Sequence, residues 1–271
     1  MKKAACCHSH GAAPSSADHP SSRWELYDHL ISLIPESLVA EEVLIGIQWT
    51  LVRSAGVGIA MTPPEGLRSM AGAGGFKGTK LKDLAGLVKS WHPYEAALGL
   101  AAINAHVNAP ATIEKHWRTS PETQANESVF THMKSALAGK KVTVIGHFPD
   151  LDELERVCRL SILERKPLDG DFPDPACEYI LDDQDYLFVT GVSIINKTLP
   201  RLMELGRHSR MVLVGPSVPL TSFWFGKGIS SLAGSTVVDA EKVWHHVAEG
   251  GDRSIFKSGA RMVNLTPADV R

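Results

Sequence analysis

Apolar residues recur at helical spacing from Trp24 to Ile34, through Leu26, Tyr27, Leu30 and Ile31. The period then shortens to two: Val43, Ile45, Ile47, Trp49 and Leu51 share one face of a strand over residues 43–52. Arg53-Ser54-Ala55-Gly56 turns that strand into Val57-Gly58-Ile59-Ala60-Met61, which predicts a hairpin. Pro63-Pro64-Glu65-Gly66 breaks the pattern, and five glycines within residues 66–78 predict a mobile loop. Thr79 is placed to cap a helix with the stripe Leu81, Leu84, Leu87, Val88 and Trp91. Pro93 suits the first turn of a second helix running to about Val107, with Leu100, Ile103 and Val107 as its core stripe. Beside that stripe run Ala97, Ala101, Asn104 and Asn108. Thr119-Ser120-Pro121-Glu122 opens a further predicted helix through Val129, Phe130, Met133 and Leu137 to Gly139.

Beyond Gly139 strands and helices alternate. Lys141–Ile145, Arg159–Leu163 (ending at Glu164), Asp185–Gly191 and Met211–Gly215 read as strands, with a short fifth at Ser235–Val238. Between them lie helices at Leu151–Val157, with Asp150 and Glu153 spaced as a capping-box variant, and at Leu199–Leu205, stopped by Gly206. Asp239 caps a last helix holding Val243, Trp244 and Val247, and Gly250-Gly251 ends it. This alternation predicts an α/β fold: a Rossmann-like parallel sheet covered on both faces, preceded by a small α+β domain. The expected division is a disordered tail over 1–22, a front domain over 23–137 and the sheet domain over 138–271.

At 271 residues and 44% hydrophobic composition the chain can bury a substantial core. A formal charge of −2 carries no footprint for nucleic acid or an anionic membrane, so neither is an expected partner. No apolar run reaches the roughly 20 residues of a membrane span, and no signal-peptide core follows Met1, so the expected location is cytoplasmic. The four cysteines form no disulfide framework or zinc ribbon; Cys158 reads as a small buried hydrophobe. Cys6-Cys7-His8-Ser9-His10 is a string of soft and borderline metal ligands inside the tail, either a metal-sequestering segment or an incidental one.

Three predicted strands end in glycine, at Gly146, Gly191 and Gly215, and in a parallel sheet their carboxyl ends share one crevice. Glycine there admits positive φ and close approach of a ligand. The first turn is Gly146-His147-Phe148-Pro149 rather than G-x-G-x-x-G, with Phe148 and Pro149 where a pyrophosphate would press on the backbone. NAD is therefore disfavoured. Glu164 lies 18 residues past Gly146, where an acidic residue often holds a ribose hydroxyl, and would suit S-adenosylmethionine or another nucleoside. His147 is the candidate acid, base or metal ligand, against a purely structural role in the turn. Thr190-Gly191 leads to Ser193, Asn196 and Thr198, which bring hydroxyl and amide groups to a helix entrance. Pro216 and Pro219 hold Ser217 in a rigid loop, but no triad order or nucleophile elbow makes it a nucleophile. Asn104 and Asn108, four apart, share a helix face from which they bind a ligand, donate across a domain interface or flank solvent. Asp169, Asp171, Cys177, Glu178, Asp182 and Asp183 sit in loops that suit a cation or simple solvation.

With these residues in view, the chain resembles the putative heavy-metal-chelation domain family. The resemblance is carried by GIQWTLVRSAGVGIAM (46–61), Ser90-Trp91 and LGLAAINAHVN (98–108) in the front half. In the second half it is carried by VIGHFP (144–149), LERKPLDGD (163–171), TGVSIINKT (190–198) and LVGPSVP (213–219). Residues 226–234 and 248–251 extend it to cover about 24–260. It implies an enolase N-terminal-like front domain before the Rossmann-like half, with a site between them. It also raises Asn104, Asn108, His147, Glu164, Asn196 and Ser217 as ligand-binding candidates.

The leading expectation is a protein that binds a small chelating or cofactor-like molecule, or a chelated metal, in a polar interdomain crevice. In it His147 transfers protons, Asn104, Asn108 and Asn196 orient the ligand, and the strand-end glycines admit it. The alternatives are a nucleoside-binding enzyme using Glu164 and a non-catalytic protein sequestering a divalent transition metal through its tail. Whether a reaction is catalysed, and whether the chain forms a homo-oligomer, stay open in the sequence.

Overall fold

The computed structural model describes residues 21–64, 69–124, 126–149 and 151–271. The Cys6–His10 tail and Asp150, with its predicted capping box, lie outside the described residues.

Helix α1 (Ser21–Ser32) is followed by three short antiparallel strands, β1 (Glu42–Ile45), β2 (Trp49–Arg53) and β3 (Val57–Met61). The predicted 43–52 strand is in fact two. Alternation runs on through Gly46-Ile47-Gln48, but there the Gly46 amide donates to Trp49 O at 2.9 Å, which closes a tight turn with Ile47 82% exposed. Thr79 does not cap α2 (Leu81–Gly86): its hydroxyl donates back to Phe76 O, and Lys80 holds the cap position without a side-chain bond. That helix stops short of Trp91, which is 71% exposed instead of completing the stripe. Helix α3 (Pro93–Val107) starts at its proline as expected, but it is buried on nearly every side rather than along one stripe. It lies between the three-stranded sheet and the larger one, and Leu98, Leu100 and Ile103 are fully enclosed.

Helix α4 (Pro110–His116) precedes α5 (Val129–Leu137), which begins at Val129 and not near Thr119 because Ser128 is the residue whose hydroxyl accepts the Phe130 amide. The α/β alternation then runs β4 (Lys141–Ile145), α6 (Leu151–Glu155), β5 (Arg159–Glu164), β6 (Phe172–Pro173), α7 (Cys177–Ile180), β7 (Tyr186–Thr190), α8 (Val192–Ile195), α9 (Leu199–Leu205) and β8 (Arg210–Val214). It closes with β9 (Ile229–Val237), α10 (Ala240–Ala248) and β10 (Ala260–Leu265). The seven strands lie in the order β10-β9-β8-β7-β4-β5-β6, all parallel except β10. Strand β9 is nine residues long, much longer than the Ser235–Val238 segment predicted, and β10 has no counterpart among the predicted strands. Serines 230, 231 and 235 and Gly234 interrupt the apolar signal of β9, yet pairing with β8 and β10 satisfies its backbone.

The period of two sorts each central strand between two cores. Ile145, Leu187, Val189 and Leu213 face a core shared with α1, α2 and α3. Val142, Val144, Phe188 and Val212 face another, completed by Phe130 and Leu137 of α5 and Leu151 and Leu154 of α6. Helix α5, which the predicted boundary assigns to the front domain, thus packs on the large sheet. The outer face of the small sheet is covered by Val243 and Val247 of α10. Front and rear halves therefore share one continuous core. Among the described residues no helix is long and apolar enough to cross a membrane.

Candidate functional site

The carboxyl ends of β4, β7 and β8 open into a cavity of about 890 Å³. Its opposite side is roofed by the front half, through Trp49, Met61, Pro63 and Trp91. The walls are largely apolar, unlike the polar crevice expected. A parallel sheet places its strand-end loops there, so the chemistry of those loops decides what the cavity can hold.

Gly146 and Gly215 both line it, with φ of +102° and +109°, a region in which side chains are strained. A Cβ at Gly215 would stand 3.6 Å from the Phe148 ring, which itself lines the cavity and packs on Phe130 at 5.4 Å between centroids. Gly191 does not belong to this set. Its φ is ordinary, and a Cβ there would meet Val218 N at 2.8 Å and the Ser217 carbonyl carbon at 2.9 Å. It is glycine so that the Gly215–Val218 loop can lie against it.

His147 and Pro149 are on the wall. The His147 Nδ1 stands 3.0 Å from Asp171 Oδ2, and the Asp171 side chain is only 2% exposed while the imidazole is 33% exposed. Asp171 also accepts the Leu168 amide at 3.0 Å. With Asp171 ionised, Nδ1 donates to it, and Nε2 has no partner among the described residues. A buried carboxylate that fixes ring and tautomer is the arrangement an acid–base histidine needs. Asp171 is thus paired with a histidine, not waiting for a cation. Glu178 binds Arg201 and Asp183 binds Lys141. Among the described residues, no group of three or more His, Cys, Asp or Glu side chains could hold a metal ion. Among the described residues, the donors around this cavity therefore do not fit a resident metal.

Glu164 borders the cavity, but backbone amides occupy its carboxylate: Oε2 accepts from His147 at 3.0 Å and Oε1 from Arg165 at 2.7 Å and Lys166 at 3.3 Å. It secures the His147 turn through these bonds. Thr190 and Pro216 line the wall, and the Thr190 hydroxyl accepts the Val192 amide. Ser217 reaches the wall too, though its hydroxyl is buried and accepts the Met61 amide at 2.9 Å, tying the two halves together. Asn196 lines the cavity; its Oδ1 accepts from the Thr198 amide and hydroxyl at 3.1 and 2.7 Å, which leaves its amide nitrogen for a ligand.

Asn104 and Asn108 do not reach the cavity. Both are buried, and the reason is visible in their partners. Asn104 Nδ2 donates to Ile59 O at 2.8 Å and Ser217 O at 3.2 Å. Asn108 Nδ2 donates to Val218 O and Ser235 O, both at 2.9 Å, and its Oδ1 accepts from Leu220 at 2.8 Å. They donate across the interface between the halves, one of the roles their spacing allowed.

Sequence reasoning missed Lys197. It lines the cavity and has φ +64°, the only positive φ at a non-glycine among the described residues. Its amine donates to Ser90 O and Ile195 O and lies 5.8 Å from the centroid of Trp91, with burial pushing it down to about 8. Lysine after a strand normally signals solvated loop, so only the coincidence of Ser90-Trp91 and Asn196-Lys197 among the resemblance segments hinted at it. Cys158, expected as a small buried hydrophobe, is only partly buried beyond the end of α6; burial raises its thiol, which donates to Leu154 O.

Fold and site define an α/β protein with a cavity at the carboxyl edge of a mostly parallel seven-stranded sheet, roofed by the part of the chain that holds a small antiparallel three-stranded sheet. Two family profiles, both described as "Putative heavy-metal chelation", match residues 27–107 and 128–266. The chain belongs to this family. A solved structure of a protein of unknown function from Desulfitobacterium hafniense DCB-2 is 39% identical, with a TM-score of 0.84, over 90% of this chain and 99% of that one. One from Pyrococcus horikoshii, 21% identical with a TM-score of 0.75 over 90% and 98% of the two chains, shares the fold. An uncharacterised protein of Methanocaldococcus jannaschii is 25% identical over 227 residues, 80% of this chain and 85% of its own length.

Proposed function

We propose that the cavity binds a small organic molecule, a chelator or cofactor-like compound with largely apolar faces, and that the family's connection to heavy metals runs through this molecule. The observation that carries the reading is the pairing of a mainly apolar cavity of about 890 Å³ with His147 and Asn196 on its wall, and no three-ligand metal cluster among the described residues. Cavities of roughly 300–1,000 Å³ with apolar walls and sparse polar groups are typical of small-molecule sites. Metal held by such a molecule would enter as cargo, through the chelator's own donors. His147, oriented by Asp171, exchanges protons with the ligand through Nε2, while the Asn196 amide orients it. Against the nucleoside alternative, Glu164 already has a structural use, accepting the backbone amides of His147, Arg165 and Lys166.

Native mass spectrometry of the purified protein, with and without a prior incubation in cell extract, tests this reading. A retained organic mass released on denaturation is expected, and His147→Ala should lose it while remaining folded, at a stability cost of about 1–3 kcal/mol because the buried Asp171 carboxylate loses its partner. Retention of a metal ion with no organic mass would sink the proposal. Unfolding of His147→Ala would assign the histidine to the turn instead.

A further inference from the structure

Lys197 is an expensive residue to keep where it stands. A lysine in the left-handed region costs roughly 1–3 kcal/mol and persists only when the surroundings require it. Its backbone places the amine beneath Trp91 and against the carbonyls of Ser90 and Ile195, at the seam between the halves. An ammonium has three N–H groups, and these carbonyls take two; the third has no acceptor among the described residues. No carboxylate among the described residues lies within ion-pair distance of it. Its charged neighbours on the wall differ: Arg165 is paired with Asp174 at 2.9 Å, and Arg201 with Glu178 and Glu204. Arg253 also borders the cavity, but it is exposed. Lys197 is therefore a partly desolvated cation whose charge the protein leaves unbalanced, at the edge of a cavity otherwise suited to an apolar ligand.

We propose that Lys197 forms an anion subsite, in which its third N–H takes a carboxylate carried by the apolar ligand. This rests on the cavity being a small-molecule site and adds the chemical class: an amphiphilic monoanion with its charge at the Ser90–Lys197 end. Such a ligand supplies the missing counter-charge, and in a partly dehydrated setting a charge-assisted bond of this kind is strong. The depressed amine reports the same imbalance from the other side, and binding an anion should raise it again.

The test compares 2-naphthoate with the neutral isostere 2-naphthamide by titration calorimetry. Wild type should bind the carboxylate at least about tenfold tighter than the amide, a difference of roughly 1.4 kcal/mol. Lys197→Met should erase that preference, weakening carboxylate binding about tenfold more than amide binding. In wild type, and not in the variant, carboxylate affinity should fall as pH rises from about 7 to about 9.5, as the amine loses its proton. If Lys197→Met does not fold, Lys197→Gln keeps donors for the two carbonyls and removes the charge, so it carries the same comparison. Equal binding of carboxylate and amide by wild type overturns the subsite and leaves the small-molecule cavity standing. A preference that survives in the variant also overturns it, and absence of binding by either compound overturns both readings.

Discussion

Asn108 and Asn196 are the same side chain in opposite circumstances. The first is 2% exposed, and every bond of its amide goes to the backbone of the opposing half: Val218, Ser235 and Leu220. The second stands at the cavity wall with its oxygen holding Thr198 and its nitrogen open. An asparagine with all its bonding capacity met inside the protein is a fastener; one with capacity left over at a cavity is available to a ligand. Residue type and helical spacing are blind to this difference, because it depends on what the opposing element presents.

That contrast can be broken most forcefully at Asn108. Asn108→Ala strands two carbonyls and one amide in a dry interface, and should cost about 3–4 kcal/mol in urea denaturation, since each buried unpaired group costs roughly 1–3 kcal/mol. A loss under about 1 kcal/mol would mean that water replaces the side chain and that the fastener description is wrong. Lys197 lies between the extremes. Its amine is pushed down to about 8, against an ordinary 10.5, so between those values the unfolded chain holds a proton that the folded chain has released. Stability of wild type relative to Lys197→Met should therefore rise as pH rises from about 8 towards 10.5, by about 1–2 kcal/mol once solvent screening is allowed for. A flat difference across that window would show an amine that is effectively solvated. The smallest stability effect belongs to Asn196→Ala, expected within about 1 kcal/mol of wild type. Its effect should appear in ligand retention, and a large stability loss with retention intact would make it a second fastener.

Much of the fold was readable because its central strands are nearly uninterrupted apolar runs. Lys141–Ile145, Tyr186–Thr190 and Arg210–Val214 carry their identity in composition alone, as strands buried on both faces do. The departures have specific physical causes. Gly46-Ile47-Gln48 keeps the alternating pattern through a turn, so two strands look like one. Strand β9 conceals itself because its serines and Gly234 satisfy pairing without advertising burial. In the site, Gly146 and His147 were legible, since a strand-ending glycine followed by histidine puts a titratable ring where a parallel sheet opens its crevice. Gly191 shares the signal of Gly146 and Gly215 while answering a different need, room for a neighbouring loop. Asp171 looks like one more acidic loop residue until tertiary structure brings it under His147, 24 positions earlier in the chain. Lys197 was illegible for a related reason: its importance lies in a backbone angle and a missing counter-charge, and sequence records neither.

The shared core between the halves has an evolutionary consequence. Asn104 and Asn108 grip backbone carbonyls of the Ser217–Val218 segment, Met61 donates to Ser217, and Lys197 reaches Ser90, so roof and floor of the cavity are stitched along one seam. Each of these bonds joins one particular side chain to the main chain of the other half. The main-chain partner can be supplied by any residue, whereas the side chain that grips it cannot be exchanged freely. A half taken from a distant relative would therefore have to bring matching grips, so the sequences of the two halves constrain each other at these few positions.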